Sequence, residues 1–466
     1  MIKTVKSVGV FSGMILMVFL LTSCVSLLPK TPTIFLGANE SVGVAPFNVS
    51  FKAGMTIPTD QSKVAWAFHW DFGDGNTSTK PDIDHTFLAP GIYHVTLTVS
   101  NDNDFETERS MVINTLARPS FDISRYPTGK KPTDAGVMDL NLDEKMDLIS
   151  ANSETHNISV FHADNGGFLT SQYKYPAIKS PSIHPQPQSF SIGDINHDSL
   201  LDLIVINQPD DNVTLMFGNG IGGFQTPSGY QIEKPAEALV ADFTGDGKRD
   251  IIILGKAKGN NRLTIMQGRG TGEMTLGKTI LQHSEIIDVV SADFDRDNDL
   301  DLIVAVNGFS YEYMLLENNN GTFAPPVDGH LPDTVVSIVS LDMQFDGMKD
   351  LVAIHNDGSI SLIHGNGSTK LHLSENIPTG LPNLTDLVAA DLNGDRTPDL
   401  LICYGNAEVA IMFGDGEGAF TRPLKIDGFG GGVAPVVADV DGDDFNDIVV
   451  VIPELDELLL GLNQLK

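Results

Sequence analysis

The sequence predicts an all-β protein in which a small β-sandwich is followed by a seven-bladed β-propeller. Three observations lead to this fold class. Residues 33–116 alternate apolar and polar side chains, as half-buried strands do. An acidic nine-residue segment then recurs seven times at intervals of 48 to 55 residues. Apolar runs around most copies supply four short strands per repeat, which is the content of one propeller blade.

The first residues have the pattern of an export signal. Lys3 and Lys6 precede an apolar run from Val8 to Leu21, which is too short for a permanent membrane-spanning helix. We therefore expect residues 1–23 to be removed as a lipoprotein signal peptide. The segment Leu21-Thr22-Ser23-Cys24 resembles the lipobox of bacterial lipoproteins, which implies lipidation of Cys24. The alternative is an ordinary signal peptide followed by an incidental cysteine.

A lipid on Cys24 would attach the protein to a membrane without a transmembrane helix in the mature chain. Residues 24–32 contain proline and are expected to form a tether between this anchor and the folded part. The predicted location is therefore the outer membrane or the cell surface. The remaining cysteine, Cys403, lies in an apolar run and is expected to be a buried core residue rather than a reactive thiol.

The chain is strongly acidic, with 61 Asp and Glu against 29 Lys and Arg and a formal net charge of −32. Such a polyanion repels nucleic acid and anionic lipid, so neither is an expected partner. Clustered carboxylates instead favour cation binding.

Residues 33–116 contain a specific motif, Trp70-Asp71-Phe72-Gly73-Asp74-Gly75, followed by an H-x-F and a G-x-Y-x-V-x-L-x-V pattern. This region resembles the PKD family of immunoglobulin-like domains. The resemblance implies an immunoglobulin-like β-sandwich that acts as a spacer or recognition module and has no catalytic residues. Asp71 and Asp74 are interpreted as turn-capping residues in preference to a metal-binding pair.

The recurring acidic segment has aspartate at positions 1, 5 and 9 in every copy. These residues are Asp139, Asp143 and Asp147; Asp194, Asp198 and Asp202; Asp242, Asp246 and Asp250; Asp293, Asp297 and Asp301; Asp342, Asp346 and Asp350; Asp391, Asp395 and Asp399; and Asp439, Asp443 and Asp447. Position 3 carries a side-chain oxygen in each copy: Asn141, Asn196, Thr244, Asp295, Gln344, Asn393 and Asp441.

Alternating oxygen donors with one backbone carbonyl match the way that short loops coordinate Ca²⁺. The carbonyl is expected from position 7, which is Lys145, Leu200, Lys248, Asp299, Met348, Thr397 and Phe445. We therefore predict up to seven structural Ca²⁺ sites, with the third and fifth weakest because Thr244 and Gln344 are poorer ligands than aspartate. The alternative is that these are metal-free aspartate-rich turns.

These segments and the Gly-Phe turns that follow most of them resemble the FG-GAP/VCBS repeats of integrin α-chain propellers and bacterial surface proteins, over residues 120–466. The last copy ends after its third strand, whereas Ser120-Phe121-Asp122-Ile123 precedes the first copy. We therefore expect this early segment to supply the missing fourth strand of the last blade, which would remove free sheet edges.

The sequence carries no H-E-x-x-H, G-x-S-x-G or phosphate-binding glycine motif. Its scattered histidines are expected to be satisfied surface or core residues with no common face. The predicted function is a non-catalytic, calcium-stabilised binding or adhesion module on the cell surface, with extracellular glycan or protein ligands. The alternatives are a secreted polysaccharide-acting lyase or hydrolase built on a propeller, and a purely architectural envelope component.

Overall fold

The computed structural model describes residues 32–57, 64–102, 105–163, 169–177, 186–257, 260–307, 312–368, 371–406 and 408–465. The chain forms two compact units. The predicted signal peptide, Cys24 and almost all of the predicted tether lie outside the described residues.

The N-terminal unit is a β-sandwich of a three-stranded and a five-stranded sheet. Its strands are β1 (Thr33–Ala38), β2 (Val42–Val44), β3 (Phe47–Thr56), β4 (Trp66–Asp71), β5 (Thr77–Ser78), β6 (Asp82–Phe87), β7 (Gly91–Asn101) and β8 (Glu106–Leu116). The strand orders are β1-β3-β6 and β2-β8-β7-β4-β5. Alternate residues of β3 and β7 are buried, as the sequence pattern predicts.

Aromatic side chains fill the core of the sandwich. Trp70 is completely buried, and its ring centroid lies 5.4 Å from that of Phe51. The Trp70 indole N–H donates to the Lys80 carbonyl at 2.9 Å, so the one polar atom of the side chain is satisfied. Asp71 and Asp74 accept backbone N–H bonds from Gly73 and Asn76, two residues further along the chain in each case. This is turn-capping geometry.

The C-terminal unit contains seven four-stranded antiparallel sheets among the described residues. Sheet 7 consists of β36 (Val433–Ala438), β37 (Asp447–Ile452), β38 (Glu457–Asn463) and β9 (Phe121–Pro127); sheet 1 of β10 (Pro132–Met138), β11 (Asp147–Asn152), β12 (Asn157–Ala163) and β13 (Leu169–Pro176); sheet 2 of β14 (Ser189–Gly193), β15 (Asp202–Asn207), β16 (Asn212–Met216) and β17 (Ser228–Gln231); sheet 3 of β18 (Pro235–Ala241), β19 (Asp250–Ala257), β20 (Asn260–Gly268) and β21 (Met274–His283). Sheet 4 consists of β22 (Ile286–Ala292), β23 (Asp301–Val306), β24 (Glu312–Leu316) and β27 (Val327–His330); sheet 5 of β28 (Val335–Leu341), β29 (Asp350–His355), β30 (Ser359–His364) and β31 (His372–Pro378); sheet 6 of β32 (Leu384–Ala390), β33 (Asp399–Tyr404), β34 (Glu408–Met412) and β35 (Leu424–Ile426). A short ribbon, β25 (Asn318–Asn319) and β26 (Thr322–Phe323), and a 3₁₀ turn, Gln208–Asp210, complete the described elements of this unit.

The second strand of each sheet is the centre of the packing. The six residues Asp147–Asn152 are all buried, and so are their counterparts such as Asp399–Tyr404. A strand that is covered on both faces needs apolar side chains in succession, which explains runs such as Leu400-Leu401-Ile402.

Apolar clusters lie between each sheet and the next. Leu203 and Val205 of sheet 2, for example, pack with Ile149 and Ala151 of sheet 1. Another cluster joins Leu148 and Phe161 of sheet 1 to Val449 and other residues of sheet 7. The unit is therefore a β-propeller in which the last sheet also packs against the first.

The fourth strand of sheet 7 comes from the beginning of the unit. β9 pairs antiparallel with β38, with Asp122 opposite Leu462 and Tyr126 opposite Leu458. This confirms the prediction that the segment around Phe121 completes the last sheet. The pairing links distant parts of the chain and leaves β38 without a free edge.

Candidate functional site: the acidic loops

The seven acidic segments all connect the first strand of a sheet to its second strand. Within each sheet the third strand ends at the same edge, because consecutive strands run antiparallel. We call the segments acidic loops 1 to 7 in chain order, beginning at Asp139, Asp194, Asp242, Asp293, Asp342, Asp391 and Asp439. We call the sheet edges that carry them the loop edge.

The aspartate at position 9 begins the second strand and is completely buried in all seven loops, all of which are described. Its Oδ2 accepts the backbone N–H of position 2 at 2.7–3.1 Å. Its Oδ1 accepts a backbone N–H at the end of the third strand, also at 2.7–3.1 Å. Each position-9 carboxylate thus joins its loop to the third strand.

Burial affects the charge of these carboxylates. Burial raises the pKa of Asp399 to about 8, against the opposing effect of the Leu392 and Gly414 amides. Burial likewise raises the pKa of Asp202, Asp301 and Asp447 to about 6. Neighbouring carboxylates of the same loop contribute to each increase. A bound cation would favour the charged form and oppose these shifts.

The other two invariant aspartates shape the loop itself. In every loop, Oδ2 of position 1 accepts the N–H of position 6 at 2.7–3.2 Å. Oδ1 of position 5 accepts the N–H of position 7 at 2.7–3.1 Å. The same hydrogen-bonding pattern therefore occurs in all seven loops.

Positions 4 and 6 of every loop adopt the left-handed backbone conformation. At position 4, φ ranges from 56° at Phe345 to 80° at Gly442. No conformation was predicted from the sequence for position 4. The signal was nevertheless present, because Gly245, Gly394 and Gly442 occupy position 4 in three copies.

Phe345→Gly should stabilise the protein, because Phe345 is 59% exposed and has a φ of 56°, a conformation that opposes any Cβ. We expect the free energy of unfolding to rise by about 1 kcal/mol, measured by denaturant unfolding. Leu455→Gly is the control, since Leu455 is 58% exposed and is not among the positive-φ residues. Equal effects of the two substitutions would contradict the strain argument.

Loops 4 and 7 bring carboxylates close together. Asp293, Asp295 and Asp297 each offer an oxygen within 4.8 Å of the others. Asp439, Asp441 and Asp447 do the same in loop 7. Burial and the neighbouring carboxylates raise the pKa of Asp295 and Asp441. Hard oxygen donors at this separation fit a calcium ion, so the residues are suited to the predicted metal.

Two histidines take equivalent places beside loops 1 and 5, which the sequence analysis did not expect. His162 Nδ1 lies 3.0 Å from Asp147 Oδ2, and His364 Nδ1 lies 3.7 Å from Asp350 Oδ1. Each precedes the residue whose N–H bonds the position-9 carboxylate. These two histidines therefore occupy the same place in the repeat, near the end of the third strand of sheets 1 and 5. The spacing from position 9 differs by one residue between the two sheets, which hid the equivalence.

A second acidic group lies on the innermost strands. Asp134, Glu237, Asp288 and Asp386 each stand five residues before an acidic loop, and each is partly buried. Burial chiefly, and the charge of Asp386 of sheet 6 to a smaller extent, raise the pKa of Asp134 of sheet 1 and of Glu237 of sheet 3. Carboxylates of three different sheets therefore influence one another's charge.

Two members of this inner group have clear structural roles. Asp134 accepts the Phe190 N–H of the next inner strand at 2.8 Å, and Asp288 accepts the Ile338 N–H at 2.8 Å. Phe190 and Ile338 each stand four residues before an acidic loop. At the same position of the sheet that follows Asp386 stands Pro435, which has no N–H to donate. Burial raises the pKa of Asp134 to about 7 and that of Asp386 to about 6.

Glu237→Gln should make the protein more stable at pH 8 and leave it unchanged near pH 4. Burial, followed by repulsion from Asp288, raises the pKa of Glu237 well above its usual value. Between the usual and the raised pKa, the folded state retains a proton that the unfolded chain releases, so wild-type stability falls as pH rises. Removing the carboxylate should recover about 1–3 kcal/mol at pH 8.

Unfolding in denaturant at the two pH values measures this effect. Glu417→Gln is the control, because Glu417 is exposed and its substitution removes the same formal charge. A stability gain for Glu237→Gln that is equal at pH 4 and pH 8 would show that the buried charge of Glu237 is not its cause.

Comparison with known families identifies both units. A family model described as a PKD domain matches residues 30–115. A model described as an FG-GAP-like repeat matches residues 139–205, 194–253, 242–304, 342–402 and 391–450, which together make up more than half of the chain. The chain belongs to the FG-GAP-like repeat family. Both family resemblances predicted from the motifs are confirmed.

The FG-GAP-like repeat protein is also similar to individual proteins. A curated relative, collagenase ColQ1 of Bacillus cereus (strain Q1), is 28% identical over 124 residues, 26% of this chain and 12% of the collagenase. Among solved structures, BBS1N in complex with ARL6DN has a TM-score of 0.53 at 13% identity and covers 75% of this chain and 98% of that chain. A lectin from Agrocybe aegerita has a TM-score of 0.47 at 15% identity and covers 77% of this chain and 89% of that chain. The BBS1N likeness shows the fold alone.

No helix in the described part of this FG-GAP-like repeat protein has the length and apolar character needed to span a membrane. Cys24, the predicted lipidation site, lies outside the described residues. Cys403 is buried at 1% exposure, and burial raises its pKa to about 12, which matches the predicted core role.

Proposed function

We propose that this FG-GAP-like repeat protein is a calcium-stabilised, non-catalytic binding or adhesion module that acts outside the cell. The observation that carries the proposal is the seven-fold repetition of one acidic-loop architecture along the loop edge. The carboxylates of these loops are engaged with their own backbone, so their role is to hold a scaffold. Exposed side chains around them are then free to contact a partner.

Calcium is the cation that the donor set fits best. Loops 4 and 7 supply carboxylates within coordinating distance of one another, and Ca²⁺ prefers oxygen ligands in flexible arrangements. The residues that would hold the ions are those at positions 1, 3, 5, 7 and 9. A bound ion would neutralise the repulsion between these carboxylates and stabilise the start of each second strand. Up to seven ions are proposed, one in each blade of a closed seven-bladed propeller.

The recognition surface is proposed to be the loop edge. Ile221 is 84% exposed in the turn that follows the third strand of sheet 2, and Leu142 is 58% exposed in acidic loop 1. Leu142 also approaches Gly220, the residue before Ile221, so the two exposed side chains belong to one region. Apolar side chains among fixed charges suit an extracellular protein or glycan ligand.

The N-terminal residues are proposed to locate the module. Residues 1–23 would direct export, and a lipid on Cys24 would attach the mature protein to the outer membrane or cell surface. PKD domains and FG-GAP-like repeats are typical of extracellular proteins, which supports this location. Mass spectrometry of membrane fractions would test it through the mass of the acylated N-terminal peptide.

A binding screen of the purified protein against glycan and matrix-protein arrays, with calcium and with EGTA, tests the proposed function. The double substitution Leu142→Asp and Ile221→Asp should abolish binding of any ligand found. Leu455→Asp is the matched control, because Leu455 is equally exposed but lies in the hairpin after the second strand, at the opposite edge. Binding that survives the double substitution would reject the loop edge as the recognition surface.

The inner acidic group favours one second candidate, a polysaccharide-acting lyase or hydrolase. Burial raises the pKa of Glu237 well above its usual value and that of Asp386 to about 6, as is common for general acids. Turnover of a polysaccharide panel that is lost in Glu237→Gln would support this candidate. Ligand binding without turnover would favour the binding module.

A further inference from the structure

Acidic loops 1 and 2 meet the turn that follows the third strand of sheet 2, and together they expose apolar side chains on the loop edge. Ile221 in the turn is 84% exposed, and Leu142 in loop 1 is 58% exposed. From the place that a Cβ on Gly220 would take, Leu200 Cδ2 lies 3.2 Å away and Leu142 Cδ1 lies 4.0 Å away. We call Leu142, Leu200 and Ile221 the Ile221 region.

We infer that the Ile221 region binds a protein partner whose surface combines apolar and basic side chains. This inference rests on the proposed function, which assigns recognition to the loop edge but leaves the ligand as either a protein or a glycan. It names the chemistry of that ligand at one place on the loop edge.

The turn holds Ile221 in a fixed position. Asn219 Oδ1 accepts the backbone N–H groups of Ile221 and Gly223, both at 3.0 Å. The Tyr175 hydroxyl of sheet 1 donates to the Gly222 carbonyl at 3.3 Å, which fastens the turn to the neighbouring sheet. A side chain on a backbone that is already ordered loses little conformational entropy on binding, so Ile221 is suited to act as an anchor.

The fold does not require an apolar residue at this place. Sheet 6 has the same turn, in which Asp415 Oδ1 accepts the N–H groups of Glu417 and Ala419 at 2.8 and 3.0 Å. Glu417 therefore occupies the place of Ile221, and Thr271 occupies it in sheet 3. All three residues are exposed, so only sheet 2 presents an apolar side chain to solvent here. Contiguous exposed apolar side chains are typical of an interaction site.

The surroundings of the Ile221 region are acidic. Residues 139–147 and 194–202, which form loops 1 and 2, contain seven carboxylates and Lys145, a formal charge of −6. Two divalent cations, one in each loop, would reduce this charge only to −2. Asp143, Glu144 and Asp198 are exposed. A basic surface is therefore attracted and steered toward this place, whereas an acidic surface is repelled.

The aliphatic side chains favour a protein over a glycan as the partner. Leu142, Leu200 and Ile221 have no aromatic face, which is the group that packs on the C–H face of a sugar ring. They fit instead against apolar side chains, or into an apolar pocket, of another protein. Lysine and arginine side chains of such a partner would lie over the exposed carboxylates around this contact.

A synthetic peptide of lysine and leucine residues is the probe for this proposal. Its binding to the purified protein in calcium-containing buffer is measured by fluorescence anisotropy. Two matched peptides carry glutamate in place of lysine, or serine in place of leucine. We expect the lysine–leucine peptide to bind at least about tenfold more tightly than either, because only this peptide supplies both the charge and the apolar contact. Its affinity should fall as ionic strength rises.

Ile221→Glu separates the apolar contact from a general attraction to an acidic protein. The substitution copies the residue of sheet 6 into the same turn, so the fold should be retained, and it makes the region more acidic. Electrostatic attraction alone would then strengthen peptide binding, whereas loss of the anchor should weaken it about tenfold. Leu455→Glu is the matched control, because it adds the same charge at an exposed leucine of the opposite edge and should leave binding unchanged.

Glu144→Gln tests the contribution of charge. Glu144 is exposed at position 6 of loop 1, and its backbone N–H, which the substitution keeps, donates to Asp139 Oδ2 at 2.9 Å. We expect the association rate of the lysine–leucine peptide to fall about twofold at low salt, while its dissociation rate changes little. Glu417→Gln removes the same charge from the turn of sheet 6 and should have no measurable effect. Equal effects of the two substitutions would overturn the charge argument.

The outcomes separate this proposal from the proposed function. Equal binding of the three peptides, or equal peptide binding by Ile221→Glu and wild-type protein, would overturn the assignment of a basic protein partner to the Ile221 region. Array ligands that are all glycans or acidic proteins, and that depend on Leu142 and Ile221, would overturn it too, while the binding module stands. If the array screen finds no ligand and the peptide does not bind, both proposals are rejected.

Discussion

Asp399→Ala is expected to lower the free energy of unfolding by about 4 kcal/mol. The substitution leaves the backbone N–H groups of Leu392 and Gly414 without an acceptor, because the Asp399 carboxylate accepts their hydrogen bonds at 2.8 and 3.0 Å. Both residues are buried, so water cannot replace the lost acceptor, and each unsatisfied amide costs about 1–3 kcal/mol. The cavity left by the side chain adds to the loss. Denaturant unfolding in the presence of EGTA measures this effect without any contribution from a bound ion.

Asp395→Asn in the same loop is the control for this prediction. Asp395 is exposed and accepts the Thr397 N–H at 2.7 Å, a bond that the amide oxygen of asparagine can keep. Its effect in EGTA should be below about 1 kcal/mol, as for most exposed substitutions. A comparable loss for the two variants would show that position 9 has no special structural role.

Removing calcium is expected to produce the other large effect. At a calcium concentration one hundred times the dissociation constant, each occupied site stabilises the folded state by about 2.7 kcal/mol. Two occupied loops alone would then contribute about 5 kcal/mol. Thermal unfolding should therefore shift to a clearly lower temperature in EGTA and return when calcium is restored in excess.

Magnesium is the control for this measurement, because its octahedral preference and reluctance to lose water fit these loops poorly. Excess Mg²⁺ should restore much less stability than Ca²⁺. An unfolding temperature that is the same with calcium and with EGTA would contradict the calcium assignment and support metal-free aspartate-rich turns.

Much of the architecture could be predicted from local patterns in the sequence. The seven-fold spacing of the acidic segments predicts seven similar units, and the structure contains seven four-stranded sheets among its described residues. The position of Phe121 before the first repeat predicts its pairing with the last sheet, which the register of β9 and β38 confirms. These features can be predicted from the sequence because each repeat forms the same local hydrogen bonds and buries the same positions.

Other features depend on contacts between repeats and could not be read from one repeat. Arg296 reaches from loop 4 to the carbonyls of loop 5, although nothing in either segment alone indicates this contact. The charge of Asp386 contributes to the raised pKa of Asp134 although more than two hundred residues separate them in the chain. The equivalence of His162 and His364 is concealed by a one-residue difference in spacing.

The sequence by itself determined the all-β class, the repeat, the position of each acidic loop and the strand that completes sheet 7. These follow from short-range periodicity, since alternating burial and carboxylate spacing act within a few residues of the chain. Only the tertiary structure decided which charges lie beside each loop and which acidic side chains of the first strands are buried deeply enough to have raised pKa values. Those relations arise from the packing of one sheet against the next, which brings together residues that are remote in sequence.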